Sequence, residues 1–238
     1  MRGAALGLAW LLVGCSSPAP PSAPAPTPER VAAPAPRPVP SPDAASVEGG
    51  TPSPQAQALP DPKEVATKPG GLENGDFVPE MVLEDLLNGG TYTLSNHLGP
   101  SATEPTRAAV IAFVASWCGP CRASLPTLAE LKRAHGADLQ IVLVAADKDR
   151  AGREKEAAHV RAAQVDAVVL DPTPDVLRAY RGRRSNVPQF FIVNKIGEVL
   201  VQDRGFGKKV KPMLPKQVAY ALAHPEYVER KKRKKRKK

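Results

Sequence analysis

Sixteen of the 27 prolines in this 238-residue chain fall between Ser16 and Gly70, and that crowding decides where a fold can form. Runs such as "SSPAPPSAPAPTPERVAAPAPRPVPSP" hold almost no large apolar side chains. Burial there cannot offset the entropy lost on ordering the chain. Residues 15–70 are therefore expected to be an extended, partly polyproline-II tether. Residues 71–228 remain, long enough for one domain with a sizeable core.

The net charge of +9 is not spread over that domain. The last nine residues, Arg230 to Lys238, are all Lys or Arg, and without them 24 basic residues face 24 acidic ones. A folded part in formal balance lacks the basic excess of a nucleic-acid-binding face, so no nucleic-acid partner is expected. Residues 229–238 read as a disordered basic tail. It is either a solvated solubility segment or a dock for an anionic lipid surface, where each cation near the surface contributes about 1 kcal/mol.

At the other end, Arg2 precedes "AALGLAWLLV", an apolar run too short to span a bilayer, so residues 1–14 read as an export signal. The run ends in "LVGC", Leu12 to Cys15, followed by Ser16 and Ser17. This resembles the bacterial lipobox, which implies cleavage before Cys15 and lipidation of that residue. The chain would then be an extracytoplasmic lipoprotein held at the periplasmic face of the inner or outer membrane. The alternative is an ordinary signal peptide, or an uncleaved apolar start, with an incidental cysteine. Outside the cytoplasm disulfides can persist, and Cys118 and Cys121 are the two thiols left for the folded part.

The folded region alternates strands and helices. "VLEDLL" and "TYTLS", separated by Gly89-Gly90, suggest a strand pair. "RAAVIAFVAS" is an unbroken apolar run typical of a strand covered on both faces. Leu125, Leu128 and Leu131 then recur at helical spacing up to a stop at Gly136. "LQIVLVAAD" predicts a second buried strand, followed by a charged helix over about 150–163, the strand "AVVLD" and a helix around "PDVLRAY". "PQFFIVN" and "EVLVQDRG" read as a closing hairpin, and a last helix covers roughly 211–223. This order predicts an α/β fold with a mixed sheet.

Cys118 falls where the first buried strand ends and a helix begins, in "ASWCGPCRASLP". Unpaired backbone N–H groups and the helix dipole favour a thiolate there. Cys121 lies one turn on, within reach of a disulfide. Gly119 is expected to permit the tight entry, and Pro120 suits a first helical turn. The spacing fits a nucleophile, Cys118, followed by a resolving thiol, Cys121. The other readings are weaker. Zinc would need two more ligands, and His97, His135, His159 and His224 are scattered. Haem attachment would need His where Arg122 stands. A structural bridge across so short a loop would remove little unfolded-state entropy. No metal and no cofactor is expected.

"FVASWCGPCRASLPTL" resembles the active-site segment of thioredoxin-fold proteins, with Trp117 before the first cysteine and Pro126 in the helix. "NVPQFFIVNKIGEV", Asn186 to Val199, resembles that family's cis-proline loop and closing hairpin. The resemblance makes Pro188 the cis-proline that packs against the disulfide. It also makes the Val187 backbone the part that pairs with substrate, with Trp117, Gly119 and Pro120 supporting the pair. The room between Asp147 and Pro188, together with the upstream strand pair, is similar to the TlpA-like branch of membrane-tethered thiol reductases, over about residues 75–223. That implies a thioredoxin fold with an N-terminal β extension and a central α/β insertion. It further implies a monomer that reduces protein disulfides and draws electrons from a membrane donor. Gly-Pro between the cysteines resembles the reducing members more than the strong oxidants.

Two positions depart from the family. Ala112 stands where thioredoxins carry a buried Asp, and Ser124 where TlpA-like members often carry Glu. Water, or a strand-end group such as Asp147 or Asp149, would then have to take the proton of the resolving thiol. The same departures leave a second reading open, a weakly active or redox-inert binding module docked to a membrane or an acidic partner.

Overall fold

A computed structural model describes residues 58–65 and 69–226. Cys15 and the tail Arg230–Lys238 lie outside the described residues.

The organising element is β3 (Ala108–Val114), the run "AAVIAFV", in which every residue is buried. A strand without one polar position cannot face water on either side, so it takes the middle of a sheet. It pairs in parallel with β4 (Leu139–Ala145) and antiparallel with β6 (Gln189–Asn194). Further strands are β1 (Val82–Asp85), β2 (Thr91–Thr93), β5 (Val168–Asp171) and β7 (Val199–Arg204). The seven strands lie in the order β2-β1-β5-β4-β3-β6-β7, with the parallel pairs β5·β4·β3 at the centre and antiparallel pairs outside.

Alternate residues of the central strands feed two apolar layers. Val110, Ala112 and Val114 of β3 point to one face, with Ile141, Leu143, Phe190 and Ile192. Helices α2 (Gly119–His135), α3 (Arg150–Ala162) and α5 (Val210–Ala223) supply residues to that layer. Ile111 and Phe113 point to the other face, which is covered by α4 (Pro174–Arg181) and by Leu72, Val78, Met81, Leu94 and Leu98. There Phe113, Tyr180 and Phe191 form an aromatic triangle with ring centroids 5.4–5.9 Å apart. The Tyr180 hydroxyl donates to the Pro79 carbonyl at 2.8 Å, which satisfies its polar end.

The short helix α1 (Pro62–Val65) falls within the stretch that the sequence reading places in the tether. Leu59 and Val65 pack against the second apolar layer. The proline-rich run before Leu59 holds no apolar side chain larger than valine. Ordered packing therefore begins before residue 71. Chain entry into the domain is fixed by glycine at Gly182 (φ +60°), where a Cβ would lie 2.5 Å from both the Gly71 nitrogen and the Pro69 oxygen. Only a residue without a side chain lets the end of α4 and the 69–71 segment cross so closely.

Phe113→Ala removes the central ring of the triangle and is expected to cost about 3–5 kcal/mol of stability, measured by urea denaturation of the full chain.

Candidate functional site

β3 and β4 run parallel in register, Val114 opposite Ala145, and the ladder continues with Ala146 N–H donating to the Val114 carbonyl at 2.7 Å. The chain then turns within Ala115–Trp117 and enters α2. In open α/β sheets this carboxyl end of parallel strands is where ligand and reaction sites lie.

Cys118 is the N-cap of α2, in extended conformation, and its Sγ accepts the Cys121 N–H at 3.1 Å. The sulfur occupies the place that a Ser or Asp oxygen takes at an ordinary N-cap. Pro120 sits in the first turn, where its missing N–H leaves no bond unmade. Cys118 and Cys121 are joined by a disulfide, with Cα atoms 5.2 Å apart. The first turn of α2 holds no acidic residue and the last holds Lys132, Arg133 and His135, so the charges complement the helix dipole at its C-terminal end and leave the positive N-terminal end facing the sulfur. Cys121 is fully buried and Cys118 nearly so, whereas Trp117 is 66% exposed.

Gly119 corrects its expected role. Its backbone lies outside the left-handed region, and a Cβ there would meet nothing within 4 Å. The entry into α2 does not require glycine, and the open space beside that position is what its missing side chain leaves.

The Val187–Pro188 peptide bond is cis. Pro188 is buried, and its carbonyl accepts from Gly205 N–H at 2.7 Å. Val187 is half-buried against both apolar layers, including the one that contains the two cysteines. Among the described residues its N–H and C=O have no hydrogen-bond partner. The loop is braced from α4, where Arg181 donates to the Asn186 carbonyl at 3.2 Å and lies over the Phe113 ring, 5.7 Å from its centroid.

At the positions where the resemblance would place carboxylates, Ala112 is buried in the same apolar layer as the cysteines. The Ser124 hydroxyl is committed, donating to the Cys121 carbonyl at 2.7 Å. Asp149 is committed as well, as the N-cap of α3 that accepts Gly152 N–H at 2.7 Å. Asp147 is different. It is buried and reaches the loop before Cys118, accepting from Ser116 N–H and Ser116 O–H. A second acid the sequence reading did not single out, Glu156, is fully buried on α3 in the apolar stripe with Ala157 and Val160. An acid inside such a stripe is the one signal that could have found it. Burial holds the Glu156 carboxyl above the ordinary carboxylate range, with Asp147 acting the same way and His159 and Arg122 opposing.

The residue-level geometry and the fold together define a thioredoxin-fold thiol–disulfide oxidoreductase. The chain belongs to the Redoxin family, whose model matches residues 73–215. Among solved structures it is similar to a protein of Chlorobium tepidum assigned as thiol:disulfide interchange protein DsbE. That match has 28% identity and a TM-score of 0.54 over 64% of this chain and 99% of the other. The fold is also that of a Bacteroides thetaiotaomicron protein assigned as a protein disulfide isomerase (23% identity, TM-score 0.53, 64% and 91% covered). The thioredoxin domain of a Bacteroides vulgatus thiol–disulfide oxidoreductase shares it too (19%, 0.50, 62% and 99%). A search of the curated proteins finds no match.

The raised Glu156 carboxyl gives a signed pH dependence. From the ordinary carboxylate range up to its folded value, the native state binds more protons than the unfolded chain, so stability falls as pH rises through that window. Denaturation curves taken from about pH 4 to about pH 8 should show this decline, and Glu156→Gln, which stays neutral, should flatten it.

Proposed function

We propose that the protein is a membrane-anchored oxidoreductase that reduces protein disulfides outside the cytoplasm through Cys118 and Cys121. The observation that carries this reading is the disulfide at the start of α2, with Cys118 Sγ accepting the Cys121 N–H. A thiolate at Cys118 would keep that hydrogen bond and the helix dipole, both of which favour the charged sulfur.

In the dithiol form, the Cys118 thiolate attacks one sulfur of a substrate disulfide. An S–S bond forms to Cys118 and the other substrate sulfur leaves as a thiolate that takes up a proton. Cys121, after losing its proton, attacks Cys118 Sγ and expels the second substrate sulfur, which is protonated in turn. The substrate has gained two electrons and two protons, and the protein is left with the Cys118–Cys121 disulfide. A membrane dithiol donor must then return two electrons. The unpaired Val187 backbone would pair with an extended substrate segment beside cis-Pro188, in the manner of strand addition. Trp117, two-thirds exposed beside the nucleophile, offers that segment an apolar contact.

The anchoring part of the proposal rests on "LVGC" at residues 12–15 and on the cluster Arg230–Lys238. None of the helices of the described residues is long and apolar enough to cross a membrane. A diacyl or triacyl Cys15 would give stable attachment where a single chain would be marginal.

Insulin reduction monitored by turbidity should proceed with the wild-type chain and fall to background in Cys118→Ser, while Cys121→Ser should accumulate a mixed disulfide on Cys118. Equal activity of wild type and Cys118→Ser would rule out this mechanism, and a wild-type chain at background with no mixed disulfide in Cys121→Ser would instead favour a binding module. In a bacterial host supplied with labelled palmitate, the wild-type chain should carry label in the membrane fraction, and Cys15→Ser should lose the label.

A further inference from the structure

The two sulfurs and the cis-Pro188 loop do not explain what holds the Ala115–Trp117 loop that presents Cys118. Ser116, in the middle of that loop, is buried with every polar group engaged. Its N–H donates to both Asp147 carboxylate oxygens, at 3.0 and 3.3 Å, and its hydroxyl donates to Asp147 Oδ1 at 2.9 Å. Its carbonyl accepts from Arg122 Nη1 at 2.8 Å. Asp147 is itself held by α3. Arg153 Nη1 donates to its carbonyl at 3.0 Å, and Gly152 comes so close that a Cβ would lie 2.8 Å from Oδ1. The strand–helix loop bearing the nucleophile is thus bolted to the end of the neighbouring strand.

Glu156 is fully buried, feels the charges of Asp147 and Arg122 in this clamp, and among the described residues neither of its carboxylate oxygens has a hydrogen-bond partner. His159 Nδ1 approaches Oε2 to 3.5 Å. The titratable and charged groups facing it are His159 on its own helix, Asp147 just after β4 and Arg122 on α2. Burial without a donor disfavours the charged form of Glu156 and holds its carboxyl above the ordinary carboxylate range. Ser116 presents its donors to Asp147 and none to Glu156. The proton is therefore held on Glu156, which has no such donor to favour its charged form.

We propose that Asp147 is a positioning residue for Cys118, acting through Ser116, and that Glu156 is the buried proton store that sets the charge behind the nucleophile. The inference rests on the dithiol reading only in taking Cys118 as the reacting sulfur. While Glu156 holds its proton it adds no negative charge to the cluster, and Arg122 binds the Ser116 carbonyl. When Glu156 ionises, its negative charge competes for Arg122 and disfavours the thiolate of Cys118. The reactivity of Cys118 therefore follows two ionisations, its own and that of Glu156.

The test uses the reduced full chain, with iodoacetamide alkylation of the Cys118 peptide followed by mass spectrometry across pH. The wild-type rate should rise with pH in a profile that one ionisation does not fit, and Glu156→Gln should give a single ionisation. In insulin turnover, Asp147→Ala should lower kcat about 10-fold with KM within about twofold, as misplacement of a reacting group does. Asp147→Asn, which keeps an acceptor oxygen for Ser116, should recover most of that loss. If Asp147→Ala fails to fold, Ser116→Ala, which removes only the hydroxyl contact, should show a smaller loss of the same kind. Superimposable pH profiles for wild type and Glu156→Gln would overturn the proton store. Unchanged turnover in both Asp147→Ala and Ser116→Ala would overturn the positioning role. A wild-type chain that alkylates with two ionisations yet reduces no insulin would overturn the reductase reading and support this one.

Discussion

The parallel pairing of β3 with β4 is the constraint on which the rest of the site depends. Both strands are apolar along almost their whole length, and both are covered on both faces by helices and loops. Burial of this kind leaves the backbone no partner but another strand, so the two align over seven residues and end level with one another. Level ends put Ser116 opposite Asp147, and that contact carries the chain from the sheet into α2 with Cys118 at the cap. The sulfur stands where it does because a ladder deep in the core terminates there.

The local chemistry at Cys118 follows from a general property of helix ends. The first N–H groups of a helix lack intrahelical partners, and an acceptor at the cap satisfies one of them. Here the acceptor is the reacting sulfur, so the group that caps α2 is also the group that gains from carrying negative charge. The buried acids lie one helix over, on α3 and at its entry, and not directly beneath the pair, where Ala112 keeps the surface apolar. Asp147 reaches the loop before the sulfurs through Ser116, whose carbonyl also accepts from Arg122.

Most of the secondary structure was legible along the chain. "AAVIAFV" and "LQIVLVA" are too apolar and too short to be anything but covered strands, and each stands where the apolar run stood. The stop of α2 at Gly136 and the hairpin of β6 with β7 were equally visible, because glycine and turn residues act locally. Less legible were features that depend on which residues meet across the fold. Leu59 and Val65 look like the end of a tether until the second apolar layer that receives them is known. Gly119 looks like a conformational necessity, and its ordinary backbone shows that it is not. Glu156 reads as one more charge in a charged helix, and only the packing of α3 reveals it as buried.

The sequence by itself determined the elements, the two-faced sheet and the pair Cys118 and Cys121, because apolar periodicity and a three-residue spacing are properties of neighbouring residues. It also marked Pro188 as the entry to the closing hairpin. The tertiary structure alone decided what surrounds the sulfurs. Ser116 and Asp147 are 31 positions apart and meet through the register of two strands, while Arg122 and Glu156 belong to different helices laid on one face of the sheet. Burial and charge at such a place arise from contacts that no local pattern encodes, so the environment of the cysteines became readable once the fold had brought its parts together.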